Sequence, residues 1–369
     1  MSVRALPSYV QAAARNSEPA PLQEPRGKTI LRRLFGDLIS ASLTLLFGAM
    51  LLALVPKLLS WAVVNGVWSG DGQACVNAGA CWAFLRAKYS LILFGIYPPD
   101  QQWRPITVIA VFLVLTLWSL PLRHWNKSTL AMWTAGILIS ILLMGGGVLG
   151  LREVPTASWG GLPITLLLTA LSLGGGFPLG IALALGRQSQ LPAIRLLSIG
   201  TIEIVRGLPL LSILFVASVL LPIMLPEGFS IDKLLRALVA LVIFSAVYIA
   251  EVLRGGLQGI PSGQIEAARA LGLGWLQTTR LVVLPQAIGK VIPPLTNTVV
   301  VIVKNTSLVL VIGLFDLLSS GRAALADPTW PAPYAESYLL VALIYFIICF
   351  GISRYALWLE QNSSFGARR

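Results

Sequence analysis

Apolar residues in this chain fall in long unbroken windows, near 38–63, 105–122, 129–150, 162–186, 207–225, 235–252, 291–313 and 337–359. A helix rising 1.5 Å per residue needs about 18 to 25 such residues to cross a hydrocarbon core of ~30 Å. The pattern therefore predicts about eight transmembrane helices. A β-barrel would show short segments of alternating apolar and polar residues instead, and the sequence has none. The fold class that follows is an all-α membrane protein.

Composition agrees with this reading. The 369 residues are 56% hydrophobic and 11% charged, with a mean hydropathy of +0.81, which excludes an ordinary soluble globule. With the N-terminus placed in the cytoplasm, the segments between spans hold eighteen Lys and Arg inside and seven outside, while Lys57 and Lys304 fall within spans. The positive-inside rule then puts both termini in the cytoplasm. The net charge of +12 is mostly topology. The basic residues are scattered along loops and not grouped with aromatics, so a nucleic-acid partner is not indicated; the lipid bilayer is.

Residues 1–35 mix Pro, Ala, Ser and charges without an apolar stretch, and read as a disordered cytoplasmic tail with no cleavable signal peptide. Residues 36–158 hold three predicted spans and a long outer loop at about 64–104. That loop carries Cys75 and Cys81 beside Trp82, Phe84 and Tyr89. On the outer side of a membrane the two cysteines can form a disulfide, or can stand as two small packed residues; spacing alone leaves both open. Residues 159–360 hold five predicted spans and the polar signals, and 361–369 form a short cytoplasmic tail. Cys349 reads as an apolar filler, and the single histidine, His124, leaves no set of metal ligands. A phosphate-binding P-loop is also missing, since Gly27-Lys28-Thr29 has Leu22 where the leading glycine should stand.

The stretch at about 254–290 is too polar for the membrane, yet Pro261-Ser262-Gly263 precedes a run of good helix formers and Gly272 follows it. It predicts a short helix held out in the cytoplasm. Glu266 and Arg269 give it charge, Ala267 and Ala268 allow close approach, and Gly272 ends it. Two readings stand for such a segment: a solvated loop helix, or one that docks into a groove of a soluble partner.

Glu266-Ala267-Ala268, Gly272 four residues on, and Leu284-Pro285 beginning twelve residues beyond that glycine resemble the EAA signature of binding-protein-dependent ABC importer permeases. Ile202-Glu203-Ile204-Val205-Arg206-Gly207-Leu208-Pro209, Ala250-Glu251-Val252-Leu253-Arg254-Gly255-Gly256 and Lys304-Asn305-Thr306-Ser307-Leu308 are similar to the polar amino-acid branch, the histidine, glutamine and glutamate permeases. The segment from Ala74-Cys75 to Tyr97-Pro98-Pro99 is similar to the longer of the two permeases in general L-amino-acid importers.

The resemblance implies a five-helix ABC type I importer core over 159–360, in a permease of the bacterial inner membrane. It further implies a second homologous permease, a dimer of ABC ATPases that bind ATP and Mg, a periplasmic amino-acid-binding protein and an amino-acid substrate. This chain itself would bind no cofactor and be no enzyme. Glu266, Ala267, Ala268, Arg269, Gly272 and Pro285 become the ATPase-coupling residues, with Pro285 marking where a second short helix ends.

Asn297, Thr298, Lys304, Asn305, Thr306 and Ser307 share one apolar span, where a charge costs at least roughly 2.5–3.5 kcal/mol unless it faces protein or a water-filled path. They are candidates for the substrate path. Four successive residues of a straight helix cannot face one cavity, so either the helix breaks near Lys304 or only Lys304 and Ser307, three residues apart, face the path. In the other reading, Lys304 pairs with a carboxylate of the neighbouring permease and the hydroxyls bond between helices. Glu203 with Arg206, and Glu251 with Arg254, form i, i+3 pairs at helix ends; they anchor an interface or act as a gate. The rival to an ATP-driven importer is a secondary transporter driven by an ion gradient, for which intramembrane acids are scarce.

Overall fold

The computed structural model describes residues 34–148, 150–226 and 230–362, so the tail expected over 1–35 lies almost wholly outside the described residues, as does most of 361–369. The chain forms two compact units, which divide between Gly66 and Val67. In the first, α1 (Leu38–Leu59) starts where the Asp37 carboxylate accepts a hydrogen bond from Ser40 N at 2.9 Å. Pro56 lies inside this helix, and a π-turn over Ser60–Val64 follows it. A proline removes one backbone donor, and a local π adjustment is one of the ways a membrane helix re-satisfies the freed backbone groups.

The second unit opens with the stretch expected as an outer loop, and that stretch is folded. Val67 pairs with the backbone of residues 80–83, and a disulfide joins Cys75 and Cys81 with Cα atoms 5.5 Å apart. Helix α2 (Trp82–Phe94) follows, and its Phe84 meets the Trp330 ring edge-on at 5.6 Å. Next come α3 (Trp103–Ser119), α4 (Lys127–Gly145) and α5 (Gly161–Gly186).

Among the described residues, six helices are long and apolar enough to cross a membrane: Leu38–Val64, α4, α5, α8 (Lys233–Gln258), Ile292–Ile312 and α14 (Tyr334–Asn362). Two of the eight expected spans differ from the prediction. Helix α3 is a shorter apolar helix than the others. The window at 207–225 is half of a bent pair, α6 (Pro192–Gly207) and α7 (Leu210–Met224), which meet at 105°. The cause is local: Pro209 disfavours an αR conformation at Leu208, which is extended with φ −104° and ψ 137°. The pair makes a seventh span when taken as one.

The main core lies where α5 crosses α8, with Ile164, Leu168, Leu241 and Phe244 meeting Val108 and Phe112 of α3 and Met144 of α4. Elements on both sides of Trp159 thus share one core. The glycines of α5 set its distance from α8: a Cβ on Gly176 would lie 2.6 Å from Ser245 Cβ, and one on Gly180 would lie 2.8 Å from Ala246 O. A second core joins Ile249 and Leu253 of α8 to Ala287 and Val291.

After α8 come α9 (Ser262–Ala270), α10 (Trp275–Thr278), a π-turn over Thr279–Val283 and α11 (Leu284–Lys290). Helix α12 (Ile292–Asn305) tightens into a 3-10 stretch over Thr306–Ile312. The two-residue strand Phe315–Asp316 pairs with Gly160 and Gly161, and α13 (Leu317–Ala324) precedes α14.

Candidate coupling loop and transport path

Helix α9 begins after the extended Pro261 and stops through a C-terminal turn that only a glycine makes cheaply. Leu273 N–H donates to Ala268 O at 3.1 Å and Gly272 N–H to Arg269 O at 2.9 Å, with Gly272 at φ +77°. This pair of hydrogen bonds caps the helix and needs a left-handed residue at its centre. Gln286 Nε2 donates to Gln264 Oε1 at 3.2 Å, and the Lys290 ammonium donates to Gly259 O, so α11 holds the first turn of α9 and the chain just before it.

The expected residues do not all share one face. Glu266, Ala267, Arg269 and Ala270 are exposed, whereas Ala268 is buried at 3%. Ala268 therefore seats α9 on its own chain, while Ala267 and Ala270 stay on its exposed side. Pro285 is exposed, but it does not end a helix. It occupies the first turn of α11, directly after the π-turn, where its missing N–H costs little. Sequence reading missed an apolar surface beside them: Leu271, Trp275 and Leu276 are each about two-thirds exposed or more. The run Leu271-Gly272-Leu273-Gly274-Trp275-Leu276 was the available signal. Behind it, Gln188, Leu191, Ile265, Arg269, Trp275 and Thr278 line a cleft of about 530 Å³.

Close by, five charged side chains from three helices converge. Arg254 donates to Glu251 Oε1 from Nη2 at 2.6 Å and from Nε at 3.0 Å. The other pair expected from spacing does not form. Glu203 accepts from Arg187 Nη1 at 3.2 Å, while Arg206 Nη1 reaches Glu251 Oε2 at 3.4 Å. Arg187, just past the end of α5, is the member that sequence spacing could not supply, since it lies 16 residues from Glu203.

On α12 the helix does change character after Asn305, and the polar run divides. Lys304 and Asn297 are exposed, and the structure places Thr298, Asn305 and Ser307 at intermediate exposure. Ser307 Oγ donates to Lys304 O at 2.7 Å, so the two lie on one side of the turn. Thr306 departs from the expectation. It is fully buried, its hydroxyl donates to Val303 O at 2.8 Å, and it lies 3.5 Å from Tyr345 Oη. It faces α14 and not a path. Tyr345 in turn donates to Asp316 Oδ2 at 3.1 Å. Asp316 is buried and caps α13, accepting from Leu318 N and Ser319 N at 3.1 and 2.9 Å. Burial pushes its carboxyl above the usual range, against these hydrogen bonds.

The family model for the binding-protein-dependent transport system inner membrane component matches residues 176–364. An inner membrane amino-acid ABC transporter permease of Escherichia coli K12, YhdY, is 43% identical over 353 residues, covering 94% of this chain and 96% of the relative. The chain belongs to this permease family. A glutamate/glutamine/aspartate/asparagine transport system permease of Rhodobacter capsulatus, BztC, is 34% identical to the permease over 428 residues, with 96% and 98% of the two chains covered. The solved structure of an amino acid ABC transporter with histidines is 34% identical, at a TM-score of 0.49, and covers 54% of the permease and 91% of that chain.

The permease is thus the membrane subunit of a binding-protein-dependent ABC amino-acid importer, resembling the longer permease subunit of general L-amino-acid importers. It is a multi-pass inner-membrane protein and, like such subunits, not an ATPase. A system of this kind implies an ATPase and a binding protein as partners.

Proposed function

We propose that α9 is the segment through which this permease feels its ATPase, and that Lys304 with Ser307, Asn305, Asn297 and Thr298 lies along the amino-acid path. The observation that carries the first part is the exposed face of α9. Glu266, Ala267, Arg269 and Ala270 point away from the chain, next to exposed Leu271, Trp275 and Leu276. A short charged helix with small residues at its contact line and an apolar rim suits a groove on a soluble protein. The excess of Lys and Arg in the loops on that side supports a cytoplasmic location for that face and for both termini.

ATP and Mg then act in a dimer of ATPase subunits, and a second homologous permease completes the path as a heterodimer. The binding protein delivers an amino acid from the periplasm. A polar substrate class, including glutamate and glutamine, is supported by the similarity to the Rhodobacter capsulatus permease.

The test is reconstituted uptake in proteoliposomes. Radiolabelled L-glutamate and L-glutamine should accumulate only with ATP, the ATPase subunits and the binding protein all present. Accumulation driven by an ion gradient alone would overturn the proposal.

A further inference from the structure

We propose that Glu251 is the hub that passes movement of α9 to α5 and α6. This rests on the reading of α9 as the ATPase contact. Only Gly259-Ile260-Pro261 separates α8 from α9. At Gly256, α8 lies so close to α11 that an added Cβ would sit 2.8 Å from Ala287 O. Helices α8, α9 and α11 are therefore tied together, and a push on α9 moves the end of α8 on which Glu251 and Arg254 sit.

The two oxygens of Glu251 do different work. Oε1 is held by Arg254 at 2.6 and 3.0 Å, and Arg254 Nη1 also donates to Gln258 Oε1 at 2.8 Å, so these groups travel with α8. Oε2 faces the other helices. Arg206 of α6 stands 3.4 Å from it and Arg187, at the end of α5, stands 3.7 Å from it. It is buried without a hydrogen bond.

Full hydrogen bonds between such groups form at about 2.7–2.9 Å, so a shift of about 0.5–1 Å would engage Oε2 with one arginine or release it from both. Three arginines share two carboxylates here, because Glu203 also binds Arg187 at 3.2 Å. The excess positive charge leaves Arg187 able to exchange between Glu203 and Glu251. A cluster serving only as an anchor would have both carboxylate oxygens fully bonded. This one is bonded within α8 and loosely attracted across to α5 and α6, which is the arrangement that transmits a small displacement.

The experiment uses the complete importer in proteoliposomes, with permease, second permease, ATPase and binding protein, and reads ATP hydrolysed per L-glutamine or L-glutamate imported. Glu251→Gln removes the charge and keeps the shape. It should raise that ratio by about fivefold or more, the scale of an ordinary coupling free energy. Arg206→Gln should raise it less, and the double variant should be no worse than Glu251→Gln alone, because both act through one contact. Crosslinking from Glu266→Cys to the ATPase checks the underlying reading separately.

A ratio at the unmodified value in Glu251→Gln, or effects that multiply in the double variant, with the crosslink intact, would overturn the hub. Absence of the crosslink in the otherwise unmodified importer would overturn the α9 reading and the hub with it. Should Glu251→Gln fail to assemble, Arg206→Gln, which leaves the Glu251–Arg254 pair in place, decides the matter by the same ratio.

Discussion

The backbone N–H of Cys81 donates to the Glu336 carboxylate at 2.6 Å, and both groups are buried. This single bond spans 255 residues and ties the stretch before α2 to the first turn of α14. Removing the acceptor leaves a buried amide unpaired, at a cost of about 1–3 kcal/mol. Glu336→Ala should therefore lower the thermal midpoint of the purified permease clearly, and Glu336→Gln, which keeps an oxygen acceptor, should lower it less. Midpoints in detergent for the two variants and the parent check this. Equal midpoints for all three would remove the bond from the stability of the fold.

The disulfide beside it makes a separate prediction. Cys75 and Cys81 are linked and buried, and closing so short a loop stabilises by ~2 kcal/mol at most. Mass spectrometry of the permease alkylated without reductant should find a peptide linking the two cysteines. Two alkylated thiols there would end the assignment. Cys349, buried on α14, should resist alkylation until the protein unfolds.

A further contact between these two regions is the ion pair of Lys88 on α2 with Asp327, at 2.5 Å. The Lys88 ammonium, and then Thr329, hold the Asp327 carboxyl well below its ordinary value. A carboxyl lowered in the folded state adds stability that is complete above its unfolded value of about 3.9 and fades as pH falls through the folded one. Between pH 5 and 8 the pair should give no pH dependence. Below about pH 4 the midpoint should fall less steeply for Asp327→Asn than for the parent. Parallel curves in acid would contradict it.

The helical spans were legible because length and apolarity alone define them, and the resemblance in Glu266-Ala267-Ala268 and Gly272 marked the loop that α9 forms. Three things were not legible. The 105° bend between α6 and α7 follows from Pro209, but α6 carries Arg195, Glu203 and Arg206 and so falls outside the apolar window at 207–225. The folding of 67–102 depends on partners such as Trp330, Asp327 and Glu336, far along the chain, which no local pattern announces. Which face a residue takes also escaped spacing. Ala268 and Thr306 carry the same motif signals as their neighbours, and tertiary packing turned both inward. Likewise Glu203 and Arg206 fit the i, i+3 rule, yet a third group, Arg187, competes for Glu203 and wins.

The end of α9 gives a local prediction with a transport readout. Gly272 sits at φ +77° in open surroundings, since nothing lies within 4 Å of the place an added Cβ would take. Gly272→Ala should thus cost about 1 kcal/mol of local strain without a clash. It should leave folding in the membrane intact and reduce ATP-driven uptake by changing the direction of the chain after α9. Glu266→Lys reverses an exposed charge and should reduce uptake and retention of the ATPase on the purified complex together. Wild-type uptake and retention in Glu266→Lys would take Glu266 out of the contact.

On α12 the division of the polar run sets two variants against each other. Lys304 is exposed and Ser307 bonds to its carbonyl, whereas Thr306 is buried against Val303 and Tyr345. If the path runs along the Lys304 side, Lys304→Met removes a charge from it. Uptake and substrate-stimulated ATP hydrolysis should fall, with the midpoint of thermal unfolding nearly unchanged, because an exposed ammonium contributes little to the packing of the helix. Thr306→Val acts in the opposite way. It keeps the volume but deletes a buried hydroxyl that bonds Val303 O, which should cost about 1 kcal/mol of stability, lower the midpoint, and leave the dependence of uptake on amino-acid concentration as it was. Uptake kinetics and melting curves for both variants separate the two roles. Unchanged uptake of every amino acid tested with Lys304→Met would assign Lys304 to structure, and a shift in apparent affinity with Thr306→Val would return Thr306 to the path.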